Sequence, residues 1–547
     1  MGFVRSKRYK DLVLIMIMIM KILIHDRTYA LFDVLDNTRV DIDPIKLKLF
    51  NEDIFSFTDS TFTLIDSPTR NAKYLTGVLI LDDNKSYGRN ETRKRLMYKC
   101  VPSNKRLPYF LVPYEISIGF HKRQKNKFIL FRFKEWNTIN NHPIGIITET
   151  LGNVDDIQSI YSYQLYTANL NHAMKFFTQE TKKICCNYHP HVVGKNNESY
   201  TFSIDPKSCM EFDDAFSIKY VNNKYTISVY IADVVSNIDR FNLWEFFTER
   251  VSAIYLPDKR LPMIPQSFSQ TFCSLQEHHM KPTMRIDFCF NKDGTVIETK
   301  DNISFIESFV DKNYVYEEET LLNDYSYKLL LYVSQLIQPS INDSHDLVSF
   351  WMIKTNQFCA KYMKACEKGI FRVLQPTDIS KNELCGEWNN ISSQYQLYRI
   401  DGVCDYIHVT SPIRRIVDLL NQIEIKKNIT GFVTPEAQLF MEKWTPKIDF
   451  INSSMKLVRK VQLNCELLSY FENVDNDSNK RYEGVVVEKK QCDSSTYSYT
   501  VFVSCLKLFS KVSKSALDLE IKQKIIVSFI IFNSENLMCK KVRLKIV

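Results

Sequence analysis

Four carboxylates fall within ten positions in the run S-I-D-P-K-S-C-M-E-F-D-D-A-F at 203–216: Asp205, Glu211, Asp213 and Asp214. Ile204, Phe212, Ala215 and Phe216 are interleaved with them, so the run reads as a partly buried segment and not as a solvated acidic tail. Two unit charges about 4 Å apart repel by roughly 1 kcal/mol in water and about 4 kcal/mol at an effective dielectric near 20. Four such groups together call for cations among them. Hard oxygen donors suit Mg²⁺ or Mn²⁺ and not zinc, and carboxylate-held magnesium points to phosphate chemistry. The plainer reading is a structural cation site or a polar loop.

Such a cluster needs a rigid frame, and the sequence offers several. Thr226–Ala232 alternates as a strand, Leu347–Ala365 carries a helical apolar pattern, and Ile413–Ile425 reads as a helix opened by Ser411 and Pro412. Upstream, Phe62–Leu64, Thr76–Leu81 and the run F-I-L-F-R-F-K at 128–134 read as strands of small barrels. Basic residues (Arg93, Lys94, Arg95, Lys99, Lys105, Arg106, Lys122, Arg123, Lys125, Lys127) alternate there with Tyr98, Tyr109, Phe110, Phe128, Phe131, Phe133 and Trp136. Cations beside aromatic platforms are how small barrels hold single strands of nucleic acid, although about half of these rings are expected to be barrel core. After the polar run at 473–480, Tyr482–Glu488, Tyr499–Val503 and Ile525–Phe532 read as a further barrel.

A chain of 547 residues exceeds one core and is expected to hold three to five domains. From Lys480 onward there are 13 Lys+Arg against 6 Asp+Glu, so +7 of the net +8 lies in the last 68 residues, as a polyanion partner would favour. The 14 cysteines have no disulfide or zinc spacing. Cys185 and Cys186 are adjacent and poorly suited to one tetrahedral ion with His189 and His191. Free thiols fit a reducing compartment, the cytoplasm first and the nucleus second. Arg5, Lys7, Arg8 and Lys10 precede the apolar stretch Leu12–Met20, but no small-residue cleavage site follows and the stretch is too short to cross a bilayer. No membrane segment is expected, and a start near Met20 is as good a reading as a leader.

The acidic run is followed in order by V-Y-I-A-D-V at 229–234, R-V-S-A-I-Y-L-P at 250–257, P-M-I-P at 262–265, C-S-L at 273–275 and T-S-P-I-R-R-I-V-D-L at 410–419. This series resembles the RNB family of ribonuclease II, ribonuclease R and the exosome's hydrolytic exoribonuclease. E-W-N-T-I-N-N-H-P-I-G at 135–145 with Leu151 and Gly152 resembles the second cold-shock barrel of the eukaryotic branch, and the resemblance spans roughly residues 46–547. It implies a multi-domain α+β fold: an N-terminal segment at 1–45, cold-shock/OB-like barrels at 46–98 and 99–175, an RNB catalytic domain at 176–472 and a C-terminal OB-like RNA-binding domain at 473–547. It also implies a monomer that degrades single-stranded RNA from its 3′ end to nucleoside 5′-monophosphates, without the N-terminal endonuclease domain of the exosome enzyme. Protein partners are not implied.

The resemblance assigns roles residue by residue. Asp205 and Asp214 match metal-holding positions, Asp213 the carboxylate nearest the leaving group, and Glu211 a metal-site position where the family has Asp. Arg414 matches the phosphate-clamping arginine. Arg415 is either a further RNA contact or a partner of Asp418 or Asp233. Tyr255 matches an aromatic that stacks on the last bases, and Tyr316 a tyrosine near the terminal nucleotide; either alone could be core. Ser349 and Phe350 stand where the family helix has two glutamates, one of which helps to hold the terminal ribose. Ile416 replaces a tyrosine, and the stretch from Leu330 to Asp346 is too short for the family's hairpin with its second stacking aromatic. Two other readings follow from these departures: a degenerate relative that binds RNA or protein without cutting, and a metal-dependent DNase or phosphodiesterase on the same scaffold.

Overall fold

The computed structural model describes residues 18–35, 42–58, 61–90, 95–116, 124–136, 142–188, 199–297, 302–373, 387–389, 397–399, 402–473, 480–493, 495–506, 508–534 and 539–547. Arg93, Lys94, Lys122, Arg123, His189, His191, the basic N-terminal residues and most of the 473–480 run lie outside them. The chain divides into two compact units, one of residues 1–169, 467–477 and 529–543, the other of 170–466, 478–528 and 544–547.

The first unit opens with a four-stranded antiparallel sheet of Met18–Ile24 (β1), Phe32–Leu35 (β2), Ile54–Thr58 (β3) and Thr61–Asp66 (β4), ordered β2-β1-β3-β4. Within β1, Met20, Ile22 and Ile24 are buried while Lys21 and Leu23 are only partly so, the period of a one-sided strand. The segment expected to precede the first barrel therefore contributes a strand of the first sheet. A run apolar at nearly every position hid that alternation.

The next five strands, Leu75–Leu79 (β5), Met97–Pro102 (β6), Phe110–Pro113 (β7), Lys127–Glu135 (β8) and Ile144–Asn153 (β9), close a barrel in the order β5-β6-β7-β9-β8. The boundary expected at residue 98 falls inside β6, because β5 pairs with both β6 and β8 across it. Tyr98, Phe110 and Phe131 fill the barrel, Phe128 is buried against Tyr163 of the helix that follows, with centroids 4.1 Å apart, and Lys99 sits 3.7 Å from the centre of the more open Tyr109 ring. Gly152 has φ +137, and a Cβ there would collide with Ser159 at the start of the following helix, so this motif position requires glycine.

In the second unit, Phe202–Asp205 (β10), Asp214–Val221 (β11), Lys224–Ala232 (β12), the short hairpin Ile254–Tyr255 (β13) and Arg260–Leu261 (β14), then Met280–Asn291 (β15), Val296–Ile297 (β16), Ile303–Phe309 (β17) and Lys312–Val315 (β18) supply the strands. All but the hairpin make one sheet, ordered β16-β15-β12-β11-β10-β18 with β17 on β15, and only β10 and β18 run parallel. Helices Tyr325–Ile337 and Ser344–Ala365 join over one apolar core with strand residues Phe202, Ile227 and Ile286. A second core packs helices Val234–Phe241, Ile416–Thr430 and Pro435–Trp444 around Trp244 and Phe268. Helix Ile416–Thr430 starts three residues later than its sequence suggests, since Ser411 to Arg415 form a turn that points side chains elsewhere. The stretch after Leu330 is helix, six loop residues, then helix, which leaves no room for a hairpin. The last five strands, Tyr482–Asp493, Thr496–Val503, Leu508–Ser515, Lys524–Ser534 and Cys539–Ile546, form a separate five-stranded sheet, and the division between the units falls within it. No described helix is long and apolar enough to cross a membrane.

Candidate active site

Asp205 ends β10 and Asp214 begins β11, so the other two acids lie on the loop that joins the strands. Several of the sequence motifs turn out to hold this loop. In C-S-L, Ser274 Oγ accepts from Phe212 N at 3.0 Å and Leu275 N donates to Phe212 O at 3.0 Å. Ala232 N, from the A-D-V run, donates to Asp213 O at 2.8 Å, and Asp233 then caps the helix Val234–Phe241 and pairs with Lys426.

The arginine segment is fixed in the same manner. Ala253 N donates to Arg414 O and Ile416 N to Val251 O, both at 2.9 Å, so R-V-S-A-I-Y-L-P and S-P-I-R-R lie side by side. Arg250 reaches Pro262 O and His172 O through its two terminal nitrogens, anchoring P-M-I-P to the same frame. Arg414 Nε donates to Asp213 Oδ2 at 3.0 Å and its Nη2 to Ser411 Oγ at 2.8 Å, while Ile413 N donates to Asp213 Oδ1 at 3.2 Å. Ile413 and Arg414 thus share one carboxylate from 200 positions earlier in the sequence.

These groups line a cleft of about 980 Å³ together with Tyr255, Tyr316, Ser349, Arg260 and Arg415. All eight residues assigned from sequence face it. For Glu211 the partners differ from the expected metal-site role, and for Arg415 they select one of the two readings left open. Glu211 is buried and both its oxygens are engaged, one by Arg260 Nη2 and the other by Ser269 Oγ. Arg415 Nη2 bonds Asp418 Oδ1 at 2.7 Å, the structural pairing that its sequence context had left open.

The remaining departures also separate. Ser349 lines the cleft, but Phe350 does not; its ring packs edge-on against Trp351, with centroids 5.2 Å apart. Ile416 is 1% exposed in the apolar core and does not line the cleft. Tyr316 has one ring face covered by His345, nearly parallel at 3.8 Å.

The electrostatics are those of acids crowded in a dry place. Burial, reinforced by Asp213, raises Asp205 to about 7 despite a bond from Ser203. Burial raises Asp213 to about 6, Arg414 opposing it. Asp214 is raised well above the ordinary carboxylate range by burial and by Asp205 and Asp213. Asp205 Oδ2 is buried without a hydrogen-bond partner among the described residues. Mg²⁺ commonly takes one or two carboxylates and completes its octahedron with water and phosphate oxygens, and Asp205 with Asp214 fits that demand. No ready-made cage of three or more His, Cys, Asp or Glu side chains exists among the described residues.

The sequence motifs assign no role to Arg260, Ser269, Ser274, Cys209 or the wall formed by Asn356, Tyr406, His408 and Thr410. Asn356 Nδ2 donates to Tyr406 OH at 3.0 Å, and its Oδ1 accepts from Val409 N at 2.9 Å, which braces the irregular segment leading to Ser411. The turn residues P-D-K between Tyr255 and Arg260 were a readable hairpin signal that would have paired those two side chains.

An RNB domain profile matches residues 195–326, and a profile for the Dis3-like cold-shock domain 2 (CSD2) matches 97–162. The first match contains every assigned acid and both tyrosines but not Arg414. Ribonuclease R of Chlamydia pneumoniae is 28% identical over 136 residues, 22% of this chain and 20% of the relative. DIS3-like exonuclease 2 of Schizosaccharomyces pombe is 22% identical over 234 residues, 38% of this chain and 25% of the relative. The matched segment thus spans a quarter or less of either relative. Among solved structures, apo RNase R of Mycoplasma genitalium superposes with a TM-score of 0.66 over 97% of this chain and all of the other, at 15% identity. Yeast Ssd1, described as a pseudonuclease, superposes with a TM-score of 0.54 over 91% of this chain and 79% of the other, at 13% identity.

Proposed function

We propose that this chain, with its RNB domain match over residues 195–326 and its RNase R-like fold, is a metal-dependent, hydrolytic 3′→5′ exoribonuclease of the RNB family, acting on single-stranded RNA and releasing nucleoside 5′-monophosphates. The observation that carries this reading is the meeting of Asp205, Asp213, Asp214 and Arg414 in one cleft.

Asp205 and Asp214 would hold Mg²⁺ or Mn²⁺. A bound divalent cation supplies Lewis-acid polarisation of the phosphate and an acidified water. Arg414, oriented through Asp213 and Ser411, offers its remaining N–H donors to a phosphate oxygen, where a planar fork stabilises the charge that develops on cleavage. Tyr255 is 44% exposed and offers a base-stacking surface beside that arginine. Ribonuclease R structures bound to single-stranded and to double-stranded RNA are among the similar folds, and RNA is the partner proposed for this chain. We place the protein in the cytoplasm as a monomer.

The engaged Glu211 and the Ser349 substitution favour a second reading, an RNB-fold protein that holds RNA without cutting it. Incubation of 5′-labelled single-stranded RNA, beside the matching DNA, with Mg²⁺ or Mn²⁺ separates the readings. Progressive 3′ shortening of RNA supports the nuclease; tight RNA binding with no shortening in either metal supports the second reading.

A further inference from the structure

One side chain, Arg260, joins the acidic loop to the stacking tyrosine. It lies directly opposite Tyr255 in the β13–β14 hairpin, with its guanidinium carbon 5.2 Å from the centre of the Tyr255 ring. The same guanidinium donates through Nη2 to Glu211, whose second oxygen is taken by Ser269. Glu211 is 6% exposed, and with a donor on each oxygen it is satisfied as a hydrogen-bonded ion pair. Arg260, by contrast, has donors to spare. Its Nε is buried without a partner among the described residues, and the side chain, 26% exposed, lines the cleft shared with Asp205, Asp213, Asp214 and Arg414.

Resting on the reading of this cleft as an RNA site, we infer that Arg260 is a substrate-positioning residue whose spare donors hold a backbone phosphate of the strand stacked on Tyr255, and that Glu211 is its anchor and not a metal ligand. The extra methylene of Glu relative to Asp carries the carboxylate from the loop to Arg260 and Ser269. The guanidinium braces Tyr255 from one side, which orients the ring at little entropic cost when a base arrives. Metal holding then falls to Asp205 and Asp214.

The test uses the full chain and two readouts that do not involve cleavage. Binding of fluorescent single-stranded RNA is measured in EDTA across a salt series for the wild type and for Arg260→Gln, Arg260→Lys and Glu211→Asp. Binding of Mn²⁺ alone is followed by electron paramagnetic resonance for the wild type and Glu211→Gln. Arg260→Gln should weaken RNA binding about tenfold and flatten the slope of log affinity against log salt by about 0.7, the share of one phosphate contact on a single strand. Arg260→Lys keeps a cation against the buried Glu211, serving as the folding control, and should restore the slope but not the full affinity, because it lacks the planar fork. Glu211→Asp should behave like a partial loss of Arg260. Glu211→Gln should leave Mn²⁺ affinity within about twofold, whereas disturbing a metal's ligand set costs about tenfold or more. An unchanged salt slope in Arg260→Gln, or a tenfold loss of Mn²⁺ affinity in Glu211→Gln, overturns the inference. A wild type that binds RNA with the predicted slope changes but cuts none leaves this inference standing and removes the nuclease reading instead.

Discussion

Arg414 Nε donates to Asp213 Oδ2 at 3.0 Å, and the neighbouring Ile413 N donates to the other oxygen of the same carboxylate at 3.2 Å. The pair fixes the direction of the guanidinium before any phosphate arrives, so little reorganisation accompanies reaction. Replacing Arg414 by Ala should lower the single-turnover rate of RNA shortening about 10²–10³-fold, the usual cost of removing one preorganised donor group. Arg414→Lys should recover less than a tenth of the loss, since a point charge cannot hold Asp213, Ser411 and a phosphate together. Equal rates for Lys and Arg would contradict this geometry.

Metal dependence of stability should vary with pH in a defined direction. Burial raises Asp205 to about 7, Asp213 to about 6 and Asp214 well above the usual carboxylate range, whereas unfolded carboxylates titrate near 3.9. The metal-free folded chain therefore holds more protons than the unfolded one. The stability linked to these groups is full below about pH 4 and is lost as pH rises through 6 to 7. A divalent cation needs the ionised carboxylates and offsets that loss only at higher pH. Mn²⁺ should raise the thermal midpoint by several degrees at about pH 8 and hardly at all at about pH 5.5. The same shift at both values would contradict the assignment of the cluster.

Restoring the family tyrosine at Ile416 should harm and not help. The side chain is buried beside Val417, Leu420 and Ile413, and a larger ring there overpacks the core by about 1–3 kcal/mol. Urea unfolding of Ile416→Tyr should show that loss, with no gain in RNA shortening per folded molecule.

Ser349 is the departure that faces the cleft. A glutamate in its place can accept from a 2′-hydroxyl, the group that distinguishes RNA from DNA. Ser349→Glu should raise the ratio of RNA to DNA cleavage rates about tenfold, roughly the worth of one hydrogen bond to a charged acceptor. A ratio that does not move would mean that the terminal sugar is held elsewhere, with the wall around Asn356 and Tyr406 the next candidate.

Much of the site was legible because its chemistry is local in sequence. The acids of 203–216 are close along the chain, and the order of later motifs predicted that Arg414 would join them. What the sequence concealed are contacts made through folding. Arg260 meets Glu211 only because a short hairpin aligns it with Tyr255, and His345 meets Tyr316 only because a helix starts beside β18. The fold was readable wherever apolar period was clear, as in Lys127–Glu135 and Lys224–Ala232. It was obscured in Met18–Ile24, where nearly every residue is apolar, and at Ser411–Arg415, where a capping pattern precedes a functional turn instead of the helix itself.

The most direct test of the account is release of the 3′-terminal nucleotide. Single-stranded RNA labelled at its last nucleotide is mixed with the full chain and Mg²⁺ or Mn²⁺, in parallel with the Asp213→Asn variant, and the products are separated by charge. The account predicts early appearance of labelled nucleoside 5′-monophosphate with the wild type and none with Asp213→Asn, while both bind the RNA. Release that survives in Asp213→Asn, or a wild type that binds the strand and frees no monophosphate in either metal, would contradict it.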